Sequence, residues 1–187
     1  MSASSLVTRV RKVLEDKAVV PVKEGTALLR EKEKRKTIMQ VEVVAIPDGV
    51  AVINVERIGE LSGVRGPFRS RCDYLILFRQ ADADAAVFVE LKKTLSEGSK
   101  GLEQLRRSPP YLEYLRAVCS IEFDGRAGFS TPVTMHYLLI GERVTPQFSI
   151  QRVSDPQALP AQNHHEITVH RNVGNRLHFD RLRGLVS

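Results

Sequence analysis

Residues 74–78 (YLILF) and 86–89 (AVFV) are two continuous apolar runs separated by the short polar segment RQADADA. Runs of this length, rich in aromatic and β-branched residues and split by turn-forming aspartates, predict a β-hairpin with Asp82 and Asp84 in its turn. Both runs are apolar enough for the core of a sheet. Charge does not belong in such a core, yet Asp73 opens the first run, and Glu90 and Lys92 close the second.

Alternation along AVFVELKK puts Phe88, Glu90 and Lys92 on one face of the strand and Val87, Val89 and Leu91 on the other. The second face is continuous hydrocarbon. The first begins apolar and ends with a carboxylate beside an ammonium. If residues 72–78 and 86–92 pair antiparallel, the start of one strand and the end of the other share a sheet edge, so Asp73, Glu90 and Lys92 converge there. Two carboxylates at one point repel and raise a pKa unless a cation is present. Mg²⁺ resolves that conflict with one or two carboxylates, waters and a substrate phosphate. An adjacent ammonium can hold a metal-bound water, assist its deprotonation, or neutralise charge accumulating on a phosphate. Phosphodiester cleavage is the chemistry this group suits. Each member taken singly also fits a structural role, Glu90–Lys92 as an ion pair at the sheet rim and Asp73 as a loop-side cap.

Asp73 followed after an apolar run by Glu90-Leu91-Lys92 resembles the PD-(D/E)xK nuclease superfamily, over a core of about residues 40–140. The resemblance implies a restriction-endonuclease-like domain, α/β or α+β, with a mixed central sheet flanked by helices. It implies that Asp73, Glu90 and the backbone carbonyl of Leu91 bind Mg²⁺ or Mn²⁺, and that Lys92 assists the attacking water. Gln104 in GLEQL stands where many members carry a glutamine on the helix after the motif. The residue before the aspartate is Cys72 rather than proline, and Ser108 stands where one exonuclease-like subgroup has tyrosine. A further acidic ligand is open between Glu31, Glu56 and Glu60.

The rest of the chain supplies a framework for this core. Ser4 or Ser5 caps a first helix with Leu6, Val7, Val10, Val13 and Leu14 on one face. Residues 26–36 (TALLREKEKRK) read as a charged helix. Residues 39–46 and 50–58 flank Pro47-Asp48-Gly49 and read as a first β-hairpin. SEGSKGLEQLRR predicts a short helix ended by Ser108-Pro109-Pro110, which starts a second with Leu112, Leu115, Val118 and Cys119 on one face. VTMHYLLIG predicts a strand covered on both faces. Residues 144–163 read as irregular surface chain, and HEITVHRN with NRLHFDRL as a closing hairpin around Gly174.

With 187 residues, the chain is long enough to bury a core as one domain without disulfides or metals. Its two cysteines, each in an apolar stretch, read as buried thiols in a reducing cytoplasm, and no run is long and apolar enough to span a membrane. Net charge is +6, and residues 1–40 hold ten Lys/Arg against five Asp/Glu. Such a surplus attracts polyanions, nucleic acid above all. His165 and His170 are five apart in a β-branched stretch, not the four of a helical zinc motif, and GSKG lacks the spacing of a phosphate loop. The expected function is metal-dependent hydrolysis of DNA, with RNA as an alternative substrate and a non-catalytic binding module of the same fold as the competing reading. A homodimer would supply two active sites for a double-strand cut.

Overall fold

A computed structural model describes residues 5–33, 36–58, 71–95, 100–124, 132–144, 167–171 and 175–186. Its described elements are α1 (Leu6–Val13), β1 (Ala27–Glu33), β2 (Lys36–Val44), β3 (Ala51–Asn54), β4 (Tyr74–Gln80), β5 (Ala83–Leu95), α2 (Lys100–Arg106), α3 (Pro109–Asp124), β6 (Val133–Val144), β7 (Ile167–Arg171), β8 (Arg176–His178) and α4 (Phe179–Gly184). The fold is mixed α/β. A five-stranded sheet has the order β3-β4-β5-β6-β7, antiparallel from β3 to β5 and parallel from β5 to β7. A three-stranded sheet, β1-β2-β8, lies against it.

Two cores follow from the alternation of side chains across the large sheet. Val87, Val89 and Leu91 of β5 point, with Ile76, Phe78 and Ile140, toward Leu29, Val41 and Val43 of the small sheet and toward Phe179 and Leu182 of α4. Leu75, Phe88, Tyr137 and Leu139 point the other way, onto Val7 and Val10 of α1, Leu105 of α2, and Leu112, Leu115 and Cys119 of α3. The large sheet is therefore covered on both faces, which explains its nearly unbroken apolar strands. Ser5 caps α1 by accepting from the Thr8 N–H, and Pro109 opens α3 where a missing N–H costs nothing.

Four expectations change. Residues 27–33 are a strand, not part of a helix: Ala27 and Leu29 are buried while Arg30 and Lys32 are exposed, a period of two, and pairing with β2 overrides the helical propensity of Glu, Lys and Arg. The first hairpin is thus β1–β2. Residues 39–46 do not pair with 50–58, because Ala45 (φ +58°) and Gly49 (φ +82°) turn the chain out of one sheet and into the other. Asp84 lies in β5 opposite Arg79, so the tight turn is Ala81-Asp82, with Ala81 at φ +52°. The closing segments form no hairpin: β7 joins the edge of the large sheet, β8 runs parallel to β2, and the chain then enters α4, which buries Phe179 and Leu182. Each half finds its partner in a different layer. Residues 59–70 (with Glu60), 125–131 and 145–163, together with Gly174, lie outside the described residues.

Candidate metal centre

β4 and β5 pair with Tyr74 opposite Val89, so the next position outward sets Asp73 across from Glu90. Here the ladder stops and side chains take over its hydrogen bonds. The Leu91 N–H donates to Asp73 Oδ2 at 2.8 Å, and the Asp73 N–H donates to Glu90 Oε2 at 3.1 Å. Each carboxylate thus holds backbone on the other's strand. The N–H and C=O of a strand residue point to the same side, so the Leu91 carbonyl faces the edge where Asp73 lies. The Val55 N–H donates to the Asp73 carbonyl at 2.9 Å and fixes the aspartate from its other side.

Lys92 forms an ion pair with Glu90 Oε1 and lies 3.5 Å from Glu31 Oε1. Three carboxylates and one ammonium are therefore gathered at one strand end. Glu90 is fully buried and Asp73 is 8% exposed. Burial, with Asp73 close by, pushes the Glu90 carboxyl up to about 9 against the pull of Lys92. Burial also raises Asp73 to about 7, although the Leu91 N–H and Lys92 oppose the rise. Burial alone would lower Lys92, but Glu90, Asp73 and Glu31 outweigh it and the ammonium holds its proton more tightly than usual. Lys92 is thus a cation rather than a base.

These shifts set a pH dependence. A carboxyl that binds its proton more tightly folded than unfolded loses stability as pH rises from its unfolded value toward its folded one. In EDTA the melting temperature should fall as pH rises from about 5 to about 9, and Asp73→Asn should flatten the fall. Parallel pH profiles for the two proteins would contradict the burial conflict described above.

The group fits a hard divalent cation. Two carboxylates and one carbonyl are a sufficient protein contribution for Mg²⁺, which keeps several waters, and such an ion would take the place of the protons that burial otherwise favours on the two carboxyls. Among the described residues no three His, Cys, Asp or Glu side chains cluster tightly enough to hold a metal by themselves, so the Leu91 carbonyl and water would complete the set. Of the three further acids, Glu31 is brought to Lys92, from β1 rather than from a helix. Glu56 is exposed yet close enough to help raise Asp73.

Gln104 is half-buried, and its Nε2 donates to the Arg71 carbonyl at 3.1 Å. Ser108 Oγ donates to the Gln104 carbonyl at 2.6 Å and accepts from the Cys72 N–H at 2.8 Å. The junction of α2 and α3 thereby pins residues 71 and 72, immediately before Asp73. Gln104→Ala should reduce activity several-fold at most and leave metal affinity unchanged, since the amide holds backbone and carries no charge; an altered metal affinity would place the amide among the ligands. Cys72 is no nucleophile: its Sγ donates to the Tyr74 carbonyl, and burial drives its thiol far above the usual range.

Two features escaped the sequence reading. Gly101 opens onto the strand: a Cβ there would lie 3.0 Å from Leu139 Cδ1, 3.2 Å from Glu90 Cγ and 3.3 Å from Lys92 Cγ. A glycine inside a helical pattern was the available signal for this close approach. Tyr74 Oη accepts from the Arg30 N–H at 2.8 Å and donates to the Arg30 carbonyl at 2.9 Å, tying the two sheets together beside Asp73. That contact had no signal while residues 26–36 read as a helix.

Comparison with known proteins adds no relative: no family model, no curated protein and no solved structure matches the chain.

Proposed function

We propose that this protein is a divalent-cation-dependent nuclease that hydrolyses DNA phosphodiester bonds, on a restriction-endonuclease-like core. The observation that carries the reading is the reciprocal bonding of Asp73 and Glu90 across the open end of the β4–β5 ladder, with the Lys92 ammonium against Glu90. Asp73, Glu90 and the Leu91 carbonyl would hold Mg²⁺ or Mn²⁺. A bound ion supplies Lewis acidity to water and to a phosphoryl oxygen. Lys92, kept protonated by its carboxylate neighbours, offers a fixed positive charge where charge develops on the phosphate. Burial of the carboxylates and their backbone bonds holds the group in one geometry, which lowers the cost of reorganisation during reaction.

Among the described residues no helix is long and apolar enough to cross a membrane. We assign the protein to the cytoplasm, where Cys72 and Cys119, both buried and free, stay reduced.

The test is incubation with supercoiled plasmid, linear duplex and RNA, each with Mg²⁺, Mn²⁺ or EDTA. Cleavage of DNA with either metal and none in EDTA is the expected result. Cleavage of RNA alone would change the substrate. Metal-independent binding without any cutting would support a non-catalytic module of the same fold.

A further inference from the structure

Next to the carboxylates lies a cleft of about 250 Å³ between β1, the turn at Asp16–Ala18 and the turn at Val55–Arg57. Its lining includes Lys17, Arg30, Lys32 and Arg57, against a single carboxylate, Glu56. Lys17 is partly neutralised by Glu15 at 2.5 Å, and the Arg57 guanidinium donates to the Lys17 carbonyl at 3.2 Å. Among the described residues, no ion pair involves Arg30, Lys32 or Arg57. Like charges gathered around a concave surface add to one positive potential there, which favours an anion.

Three segments of the lining are sequence neighbours of the carboxylate group. Tyr74, which lines the cleft, directly follows Asp73. Arg30 and Lys32 flank Glu31, the neighbour of Lys92. Glu56 follows Val55, whose N–H holds the Asp73 carbonyl. The lining of the cleft is thus joined in sequence to the carboxylate group on three segments, and Glu56 on its wall is close enough to Asp73 to act on it electrostatically. At this volume the cleft is smaller than the ~300–1,000 Å³ pockets that enclose a whole small molecule. It matches one sugar-phosphate step of a longer polymer.

We propose that this cleft binds a backbone phosphate of the nucleic-acid strand adjacent to the one cleaved, through Arg30, Lys32 and Arg57. The choice of nucleic acid rests on the nuclease reading; the anion site itself rests on the charges of the cleft.

The test is fluorescence anisotropy of a labelled DNA duplex with the full chain in EDTA, over a range of salt. Each phosphate contact adds about 0.9 to the slope of log affinity against log salt. Arg30→Gln/Lys32→Gln should lower affinity about 10-fold or more near 0.1 M salt and reduce the slope by about two contacts' worth. Arg57→Gln, on a different segment, should reduce it by about one. Arg181→Gln/Arg183→Gln, which removes the same charge from exposed positions on α4, should leave both quantities near wild type. Equal losses in the cleft and α4 variants, or none in either, would overturn the proposal. So would displacement of the duplex by inorganic phosphate at constant ionic strength, with the cleft variants losing only stabilisation by phosphate; that result marks a small-anion site. Plasmid cleavage by the same preparations separates the two readings. A wild type that binds through the cleft but never cuts ends the nuclease reading alone, and one that cuts while the cleft variants bind normally ends only this one.

Discussion

Asp73→Asn is expected to lower metal-dependent cleavage by about 10³-fold, or ~4 kcal/mol of barrier, within the several kcal/mol that a bound cation contributes. The substitution is nearly isosteric. Its amide oxygen can still accept from the Leu91 N–H, which Asp73 Oδ2 now holds at 2.8 Å, so the strand end should keep its shape. What it loses is charge. In EDTA the variant should melt no lower than wild type, because one of two mutually repelling buried carboxylates has gone. The gain in melting temperature that Mg²⁺ or Mn²⁺ gives the wild type should disappear. Wild-type cleavage by a folded Asp73→Asn protein would remove Asp73 from the metal ligands.

Lys92→Met is expected to lower cleavage by about 10²-fold or more, the scale for losing one fixed group that stabilises developing charge. Methionine keeps an unbranched stem against Gly101, where the present Lys92 Cγ would come within 3.3 Å of an added Cβ, so α2 should stay seated. Mn²⁺ affinity should change little, because the ammonium is not a ligand. Glu90 then loses its ion-pair partner, and in EDTA its carboxyl should hold its proton still more tightly. Cleavage equal to wild type would leave Lys92 as a structural partner of Glu90.

The site was more legible in the sequence than the fold around it. Asp73, Glu90 and Lys92 could be brought together from the sequence because their meeting depends on one local hairpin. Strand alternation fixes which side chains share a face, and antiparallel pairing sets the start of one strand beside the end of the other. Helices α1, α2 and α3 were readable for a similar local reason: caps, a proline at the first turn and one apolar stripe each. The small sheet was not. Its pairings join β1 to β2 and β2 to β8, and the second crosses most of the chain. Nothing in TALLREKEKRK states that its partner is a strand, and its charged residues favour a helix in isolation. Glu31 was consequently assigned to a helix, and the basic cleft along β1 could not be anticipated. The segment after residue 166 failed in the same way, since period-two patterning identifies a strand but not the sheet that receives it. Gln104 was placed on the correct helix, yet its hydrogen bond to the Arg71 carbonyl depends on side-chain direction at a helix border.

The central claim is that Asp73, Glu90 and the Leu91 carbonyl form one cation site. An anomalous difference map from crystals soaked in Mn²⁺ tests it most directly. The account predicts a peak bounded by Asp73, Glu90 and the Leu91 carbonyl, at oxygen distances of roughly 2.0–2.3 Å. No peak at that strand end at saturating Mn²⁺, with Lys92 still ion-paired to Glu90 Oε1, would contradict it.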